Sequence, residues 1–287
     1  MTARDPRLHA FRADLADARL RGEVAAARFV EGSPARVSVA VADVRKAPRP
    51  DAGLSTQALF GDELHVFDIS EGWAWVQVER DGYVGYVSDT SLAAAGPAPT
   101  HIVTAPRTFL YPGPDLKLPA GAAISLGSSV AVTGSAETRG TTYALLESGE
   151  ALIDKHLAPL TYAAPDFVTV AEWLLNTPYL WGGSTAFGID CSGLVQLSMR
   201  MIGRKVLRDS DMQAASIGTP LAIDSDLASL RRGDLVFWKG HVAIMIDADT
   251  MIHANGHTMT VSCEGLREGI DRIGYLYGGP TGFRRPE

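Results

Sequence analysis

Cysteine is scarce in this chain: 287 residues hold only two, Cys191 and Cys263. Two thiols cannot build the disulfide framework of a small secreted domain, so the sequence points to a reducing compartment. Long apolar runs are missing too. Nothing approaches the roughly 20 residues that a membrane-spanning helix needs. Residues 1–7 lead into a charged stretch through Glu23 with no apolar core of a secretory signal. A cytoplasmic protein without a membrane partner is the expectation. Basic excess is also lacking, since the formal charge is −7. That leaves no electrostatic footprint for nucleic acid and no polybasic patch for an anionic bilayer. Cationic or neutral partners are favoured.

What the chain does have is length and β texture. A 287-residue chain exceeds what one compact core usually serves, which implies two or three domains. Residues 1–34 read as a helical or extended lead-in. Short alternating runs then follow at 37–41, 63–67, 73–78 and 83–87, with the turn pairs Glu71-Gly72 and Asp81-Gly82 between them. Period-two alternation broken by such turns signals a small antiparallel barrel, with Trp73 and Trp75 in its core. A fainter self-match aligns 59–92 with 125–160, placing Val66 on Val132 and Gly82 on Gly149. Pro/Gly-rich joints at 95–99 and 163–165 set the expected boundaries: lead-in 1–34, first barrel 35–96, second barrel 97–163, last domain 164–287. In the last domain, 167–175 has helical spacing with Asp166 able to cap it. Residues 179–189 form a glycine-rich loop, and 192–202 read as a buried helix ending at Gly203. Strands are expected at 234–238, 241–247, 250–254 and 259–261, with Trp238 in the core, giving an α+β domain.

The chemistry gathers in that domain. Cys191 stands in Gly188-Ile189-Asp190-Cys191-Ser192-Gly193, directly before a helix. A thiolate attacks carbonyls and a thiol barely does; a helix N-terminus and a nearby imidazole both favour the thiolate. The same free amides could hold a developing oxyanion. A lone cysteine also reads as a small buried hydrophobe, but the flanking glycines and the polar pair Asp190 and Ser192 argue against it. Cys263 has no such setting and reads as structural. His241 opens an apolar strand, which suits a general base and then acid as well as an ordinary surface histidine. If 241–247 and 250–254 form a hairpin about Asp249, His253 lies near the same strand end. It would then fix the tautomer of His241 through its other ring nitrogen. Asn255 competes for that role, although Asn255-Gly256 reads as a turn pair. His253 and His257 have zinc-ligand spacing only on a helix, which Asn255-Gly256 interrupts. No metal or other cofactor is expected.

On these residues the chain resembles the NlpC/P60 superfamily of papain-like cell-wall cysteine peptidases. The resemblance covers roughly residues 165–287. It rests on Pro178-Tyr179-x-Trp181-Gly182-Gly183, Asp190-Cys191-Ser192-Gly193-Leu194-Val195, Arg208-Asp209-Ser210-x-x-Gln213, Leu230-x-x-Gly233-Asp234-Leu235-Val236-Phe237-Trp238, and His241-Val242-Ala243-Ile244 followed by Ile252-His253-Ala254. It implies Cys191 as nucleophile, His241 as base and His253 as orienter. The upstream part is similar to one branch, in which two bacterial SH3-like barrels precede the peptidase domain. That branch comprises γ-D-glutamyl-L-diamino-acid endopeptidases similar to dipeptidyl-peptidase VI, which release L-Ala-γ-D-Glu from murein peptides with a free N-terminus.

The fold implied is two small SH3-like β-barrels followed by a papain-like α+β NlpC/P60 domain. The implied partner is a murein peptide, and the implied role is recycling of cell-wall peptides in the cytoplasm. The resemblance also implies that Asp190 pairs with the substrate α-ammonium, that Tyr83 closes the pocket with Tyr86 as competitor, and that Tyr179, Trp181, Ser192 and Ser210 line it. Burying an ammonium is costly unless it is paired, so an acid beside the nucleophile would let the enzyme count residues from a free end. Two other readings stand beside this one: an acyltransferase or amidase on the same fold, and a non-catalytic wall-binding protein. An apolar residue in place of Asp190 would favour the first, and loss of Cys191 or His241 the second.

Overall fold

The computed structural model describes residues 4–222 and 227–287. They divide into two compact units, the first running to Thr161 and the second beginning at Tyr162.

The first unit opens with a seven-stranded antiparallel sheet. Its spatial order is Leu54–Leu59, Val41–Arg45, Val84–Ser88, Trp73–Val78, Glu63–Ser70, Ser33–Val37 and Leu92–Ala94. Alternating side chains turn Val37, Val44, Leu64, Val76, Val78 and Val87 onto one core. The run expected as one strand at 37–41 is two strand ends joined by a bend: Ser33–Val37 stops and the next strand starts at Val41. Val39 still packs against the core from that bend. Apolar alternation therefore continued around a corner that periodicity could not reveal.

The lead-in is not helical in the way its charged texture suggested. Among the described residues before Ser33 there is no α-helix. Leu15–Asp17 pairs in parallel with Arg28–Val30, and Asp17 caps a single 3₁₀ turn at Ala18–Leu20. The reason is tertiary. Ala10 and Leu15 join Phe67, Trp75 and Tyr86 in a small apolar cluster. Arg12 lies 4.4 Å over the Trp75 ring and pairs with Asp68 at 2.8 Å. Contacts of this kind override weak helix propensity.

Residues 101–159 of the same unit form three small antiparallel sheets. They enclose Val103, Leu110, Ile124, Val130, Leu146 and Leu152, with Ala40 and Phe60 packed alongside.

The second unit sets helices against a six-stranded antiparallel sheet. Its strands are β1 (Thr219–Pro220), β2 (Leu235–Trp238), β3 (His241–Met245), β4 (Thr250–Asn255), β5 (Thr260–Gly265) and β6 (Gly282–Arg285), in the spatial order β1-β6-β2-β3-β4-β5. The helices are α1 (Phe167–Trp173), α2 (Cys191–Met201), α3 (Ser210–Ser216) and α4 (Leu266–Tyr277). Asp166 caps α1 by accepting from the Thr169 amide at 2.9 Å. Helix α2 is buried along nearly its whole length, so it serves as the central element of the core. Trp238 lies in the sheet core with Val236, Ala243, Met245 and Met251. Strand β5 runs on to Gly265, well past the expected 259–261, and carries Cys263 and Glu264 into register opposite Ile252 and Met251.

Candidate active site

The N-terminus of α2 is built on Asp190. Its Oδ1 accepts from the Gly193 amide at 2.7 Å, the N-cap bond that starts the helix. Glycine is required at 193 because a Cβ there would stand 2.3 Å from the Gly183 carbonyl oxygen. Asp190 Oδ2 accepts from the Gly182 amide at 2.9 Å. The guanidinium of Arg208 then meets both oxygens, with Nη1 3.0 Å from Oδ1 and Nη2 2.8 Å from Oδ2. This is a two-pronged pair in which each charge satisfies the other away from water. Arg208 is fully buried, and its Nη1 also donates to Ser192 Oγ at 2.8 Å. Gln213 Nε2 donates to the Ser192 carbonyl at 3.0 Å. The motif residues Asp190, Ser192, Arg208 and Gln213 thus form one buried scaffold under the helix start.

This network shows what two of the expected site residues already hold. Asp190, expected to receive the substrate α-ammonium, accepts from the Gly182 and Gly193 amides and is paired with Arg208. Ser192 was expected to line the pocket, yet it is buried with its hydroxyl bonded to Arg208 and near Asp190.

Cys191 is the first residue of α2 and is largely buried. The amides of Val242 and Ser192 hydrogen-bond its sulfur, which places strand β3 directly against the helix start. Burial, and then the negative charge of Asp190, push the thiol up to about 12. On β3, His241 Nε2 stands 2.8 Å from His253 Nδ1 on β4. That contact leaves Nδ1 of His241 for a reaction partner. Burial, and then His253, push His241 down to about 3. The ring of Trp238 packs against His241 with centroids 5.7 Å apart. Both shifts favour the neutral forms at rest, a thiol and an imidazole, rather than the thiolate the helix terminus alone would favour. Such a pair works by base-assisted attack, with the proton moving as the sulfur–carbon bond forms.

Two outcomes follow from that state. Alkylation of Cys191 by iodoacetamide should be slow at neutral pH and climb through the alkaline range. A rate plateau already reached below about pH 6 would instead reveal a pre-formed ion pair. A base must be deprotonated to act, so kcat/KM should persist as the pH falls through about 6.5, the ordinary histidine value. A pH–rate profile checks this.

The remaining expected residues belong partly to the second unit and partly to the first. Tyr179 is half-buried and tied to Met259 by its amide at 2.8 Å. Burial, then the Cys191 and Asp190 charges, raise its phenol, so it stays an O–H donor. Trp181 is 66% exposed, which makes it a rim residue rather than a wall. Ser210 is half-buried at the first position of α3. Tyr83 is buried in the first unit, where its amide donates to Asp81 Oδ1 at 3.0 Å. Tyr86 belongs to the Leu15–Trp75 cluster, and its hydroxyl accepts from Arg12 at 3.2 Å. Asn255, the rival orienter, is spent on a turn: Oδ1 accepts from the amides of His257 and Thr258, and Nδ2 donates to Ser262 Oγ.

Three residues escaped the sequence reading. Arg208 was visible inside a motif, but nothing in a linear sequence marks an arginine as buried. Glu264 and Arg272 were missed because β5 was expected to stop at 261. His253 Nε2 lies 2.7 Å from Glu264 Oε1, a close charge contact that is bent away from the ring N–H axis. Arg272 of α4 pairs in turn with both oxygens of Glu264.

Residues 176–272 match the NlpC/P60 family, and residues 44–92 match the bacterial dipeptidyl-peptidase Sh3 domain. The chain joins a bacterial SH3 domain to an NlpC/P60 domain. Two curated relatives carry the name gamma-D-glutamyl-L-lysine dipeptidyl-peptidase. The one from Bacillus cereus is 29% identical over 231 residues, covering 70% of this chain and 67% of the relative. The one from Bacillus subtilis is 28% identical over 229 residues, covering 71% and 73%. Among solved structures, an NlpC/P60 family protein from Bacillus cereus superposes with a TM-score of 0.72 at 25% identity, over 88% of this chain and 99% of that one. The SH3 match falls within the first of the two expected barrels, and the NlpC/P60 match contains Cys191, His241, His253, Glu264 and Arg272.

Proposed function

We propose that this NlpC/P60 protein is a cysteine endopeptidase. It hydrolyses the γ-D-glutamyl-L-diamino-acid bond of murein peptides with a free N-terminal L-Ala, releasing L-Ala-γ-D-Glu in cytoplasmic cell-wall peptide recycling. The observation that carries the reaction type is the thiol at the start of α2, held against β3 by the Val242 amide next to His241, whose ring nitrogen stands 2.8 Å from that of His253. The names of the two Bacillus relatives support the substrate class. In this reading residues 101–159 are a second SH3-like module.

The steps follow from the geometry. His241 Nδ1 takes the thiol proton as Sγ bonds to the γ-carbonyl carbon of D-Glu. Negative charge moves onto the carbonyl oxygen. Capping has already used the Gly193 amide, and the Leu194 amide donates to the Asp190 carbonyl. The Cys191 amide remains at the helix start to receive the oxyanion, with the Tyr179 hydroxyl as a further donor. The C–N bond then breaks, and His241 returns its proton to the departing amine of the diamino acid. Water, activated by the same imidazole, hydrolyses the thioester and frees the thiol.

The test uses L-Ala-γ-D-Glu-L-Lys and its diaminopimelate analogue, each free and N-acetylated, with products read by mass. Release of L-Ala-γ-D-Glu from the free forms, at least about tenfold faster than from the acetylated ones, is expected. Equal cleavage of both would remove the free-amine requirement. Cleavage of neither would return the acyltransferase and wall-binding readings.

A further inference from the structure

Among the described residues, the titratable groups packed around His253 come from β3, β5 and α4. From β3 comes His241, from β5 Glu264, and behind Glu264 stands Arg272 of α4. The Val242 amide, next to His241 on β3, meets Cys191 of α2. Glu268, also on α4, turns toward the backbone of Gly265. His253 itself is buried, so water does not decide where its protons sit. The helix is drawn tightly onto the strand to make this set. A Cβ at Gly269 would lie 2.1 Å from Met251 Cε and 3.2 Å from Glu264 Cδ, so glycine lets the helix approach without displacing those side-chain ends. Arg272 follows three residues later, on the same helix face.

We propose that Glu264, anchored by Arg272, is a positioning residue that fixes the proton arrangement of the His241–His253 pair. The proposal rests on the reading of Cys191 and His241 as nucleophile and base. An ionised carboxylate only accepts hydrogen bonds, so the proton of a neutral His253 resides on Nε2, facing Glu264. His253 Nδ1 is then the acceptor, and His241 must donate to it from Nε2. A neutral His241 has one ring proton, so its Nδ1 carries the lone pair that receives the thiol proton. One carboxylate selects a single tautomer through two rings. Without it, His253 can donate from Nδ1. His241 then carries its proton on Nδ1, facing the thiol with nothing to accept. Burial alone would raise the Glu264 carboxyl, but the His253 and Arg272 contacts outweigh it and hold the group down at about 2, so it stays ionised across the working range. Glu264 touches no substrate; it acts through His253.

The test compares the full-length protein with Glu264→Gln and Glu264→Asp. Glu264→Gln should lower kcat by about tenfold to a hundredfold with KM within about twofold, and Glu264→Asp should recover part of the loss. The carboxylate also favours the protonated pair, so the acid limb of kcat/KM should move to lower pH in Glu264→Gln. A merely structural loss would lower the folded fraction without moving that limb. Two readouts need no substrate. Nitrogen NMR of the histidines should show His241 protonated at Nε2 in the wild type and mixed in Glu264→Gln. Alkylation of Cys191 by iodoacetamide should slow in parallel with kcat. A folded Glu264→Gln with wild-type kcat and an unchanged His241 tautomer would overturn the proposal. Failure of the peptide assay together with a tautomer change would instead sink the peptidase reading and leave this inference standing.

Discussion

Cys191→Ala should abolish hydrolysis of L-Ala-γ-D-Glu-L-Lys, with kcat falling by at least about 10⁴-fold and substrate affinity little changed. The sulfur is the atom that forms the acyl bond, and alanine leaves no substitute at the start of α2. Cys263 cannot replace it: that residue sits on β5, exposed, with its own thiol raised by burial and then by Glu172 and Asp247. The substitution should leave the fold intact, because the start of α2 is held by the Asp190 bonds to Gly182, Gly193 and Arg208, none of which involves the sulfur. Product mass spectrometry and calorimetric peptide binding separate the two effects. Residual turnover above about 1% would mean that another group attacks the carbonyl. Lost binding would mean that the thiol serves mainly in packing.

The second large effect concerns stability. Arg208→Met should destabilise the second unit by about 3–5 kcal/mol and lower its melting temperature by roughly 10 °C. Arg208 is fully buried and Asp190 nearly so, and their side chains meet at 2.8 Å. Truncating one partner leaves the other charge stranded in a medium that solvates it poorly. Asp190→Leu should cost a similar amount, plus about 1 kcal/mol for the lost helix cap. The double variant Asp190→Leu/Arg208→Met removes both charges together and should be more stable than either single variant. Thermal denaturation of all four proteins measures this coupling. Additive losses would show that the pair contributes nothing as a pair, and that the packing of each side chain explains its cost.

Much of the architecture could be read from side-chain periodicity. Trp73–Val78 alternates cleanly and is a strand. The apolar spacing after Cys191 marks helix α2, since Leu194, Val195 and Leu197 all face the core. The two histidines could be placed on neighbouring strands because Asp249 marks the turn between them. What escaped was information that no linear pattern encodes. The 37–41 run kept its alternation around a bend. Residues 1–32 owe their shape to Trp75 and Phe67, far along the chain. Asp190 looked like an available carboxylate because its partner lies eighteen residues downstream in an unremarkable loop. Glu264 was invisible as part of the site because Thr260, Ser262 and Cys263 hid the continuation of β5 among polar residues.

The Asp190–Arg208 lock limits how the nucleophile turn can be transplanted. A designer who grafts the hexapeptide around Cys191 onto another scaffold would import a desolvated carboxylate without its counterion, and the graft would resist folding. The portable unit is the turn, the arginine that neutralises it, and the Gly182–Gly183 backbone that both of them grip.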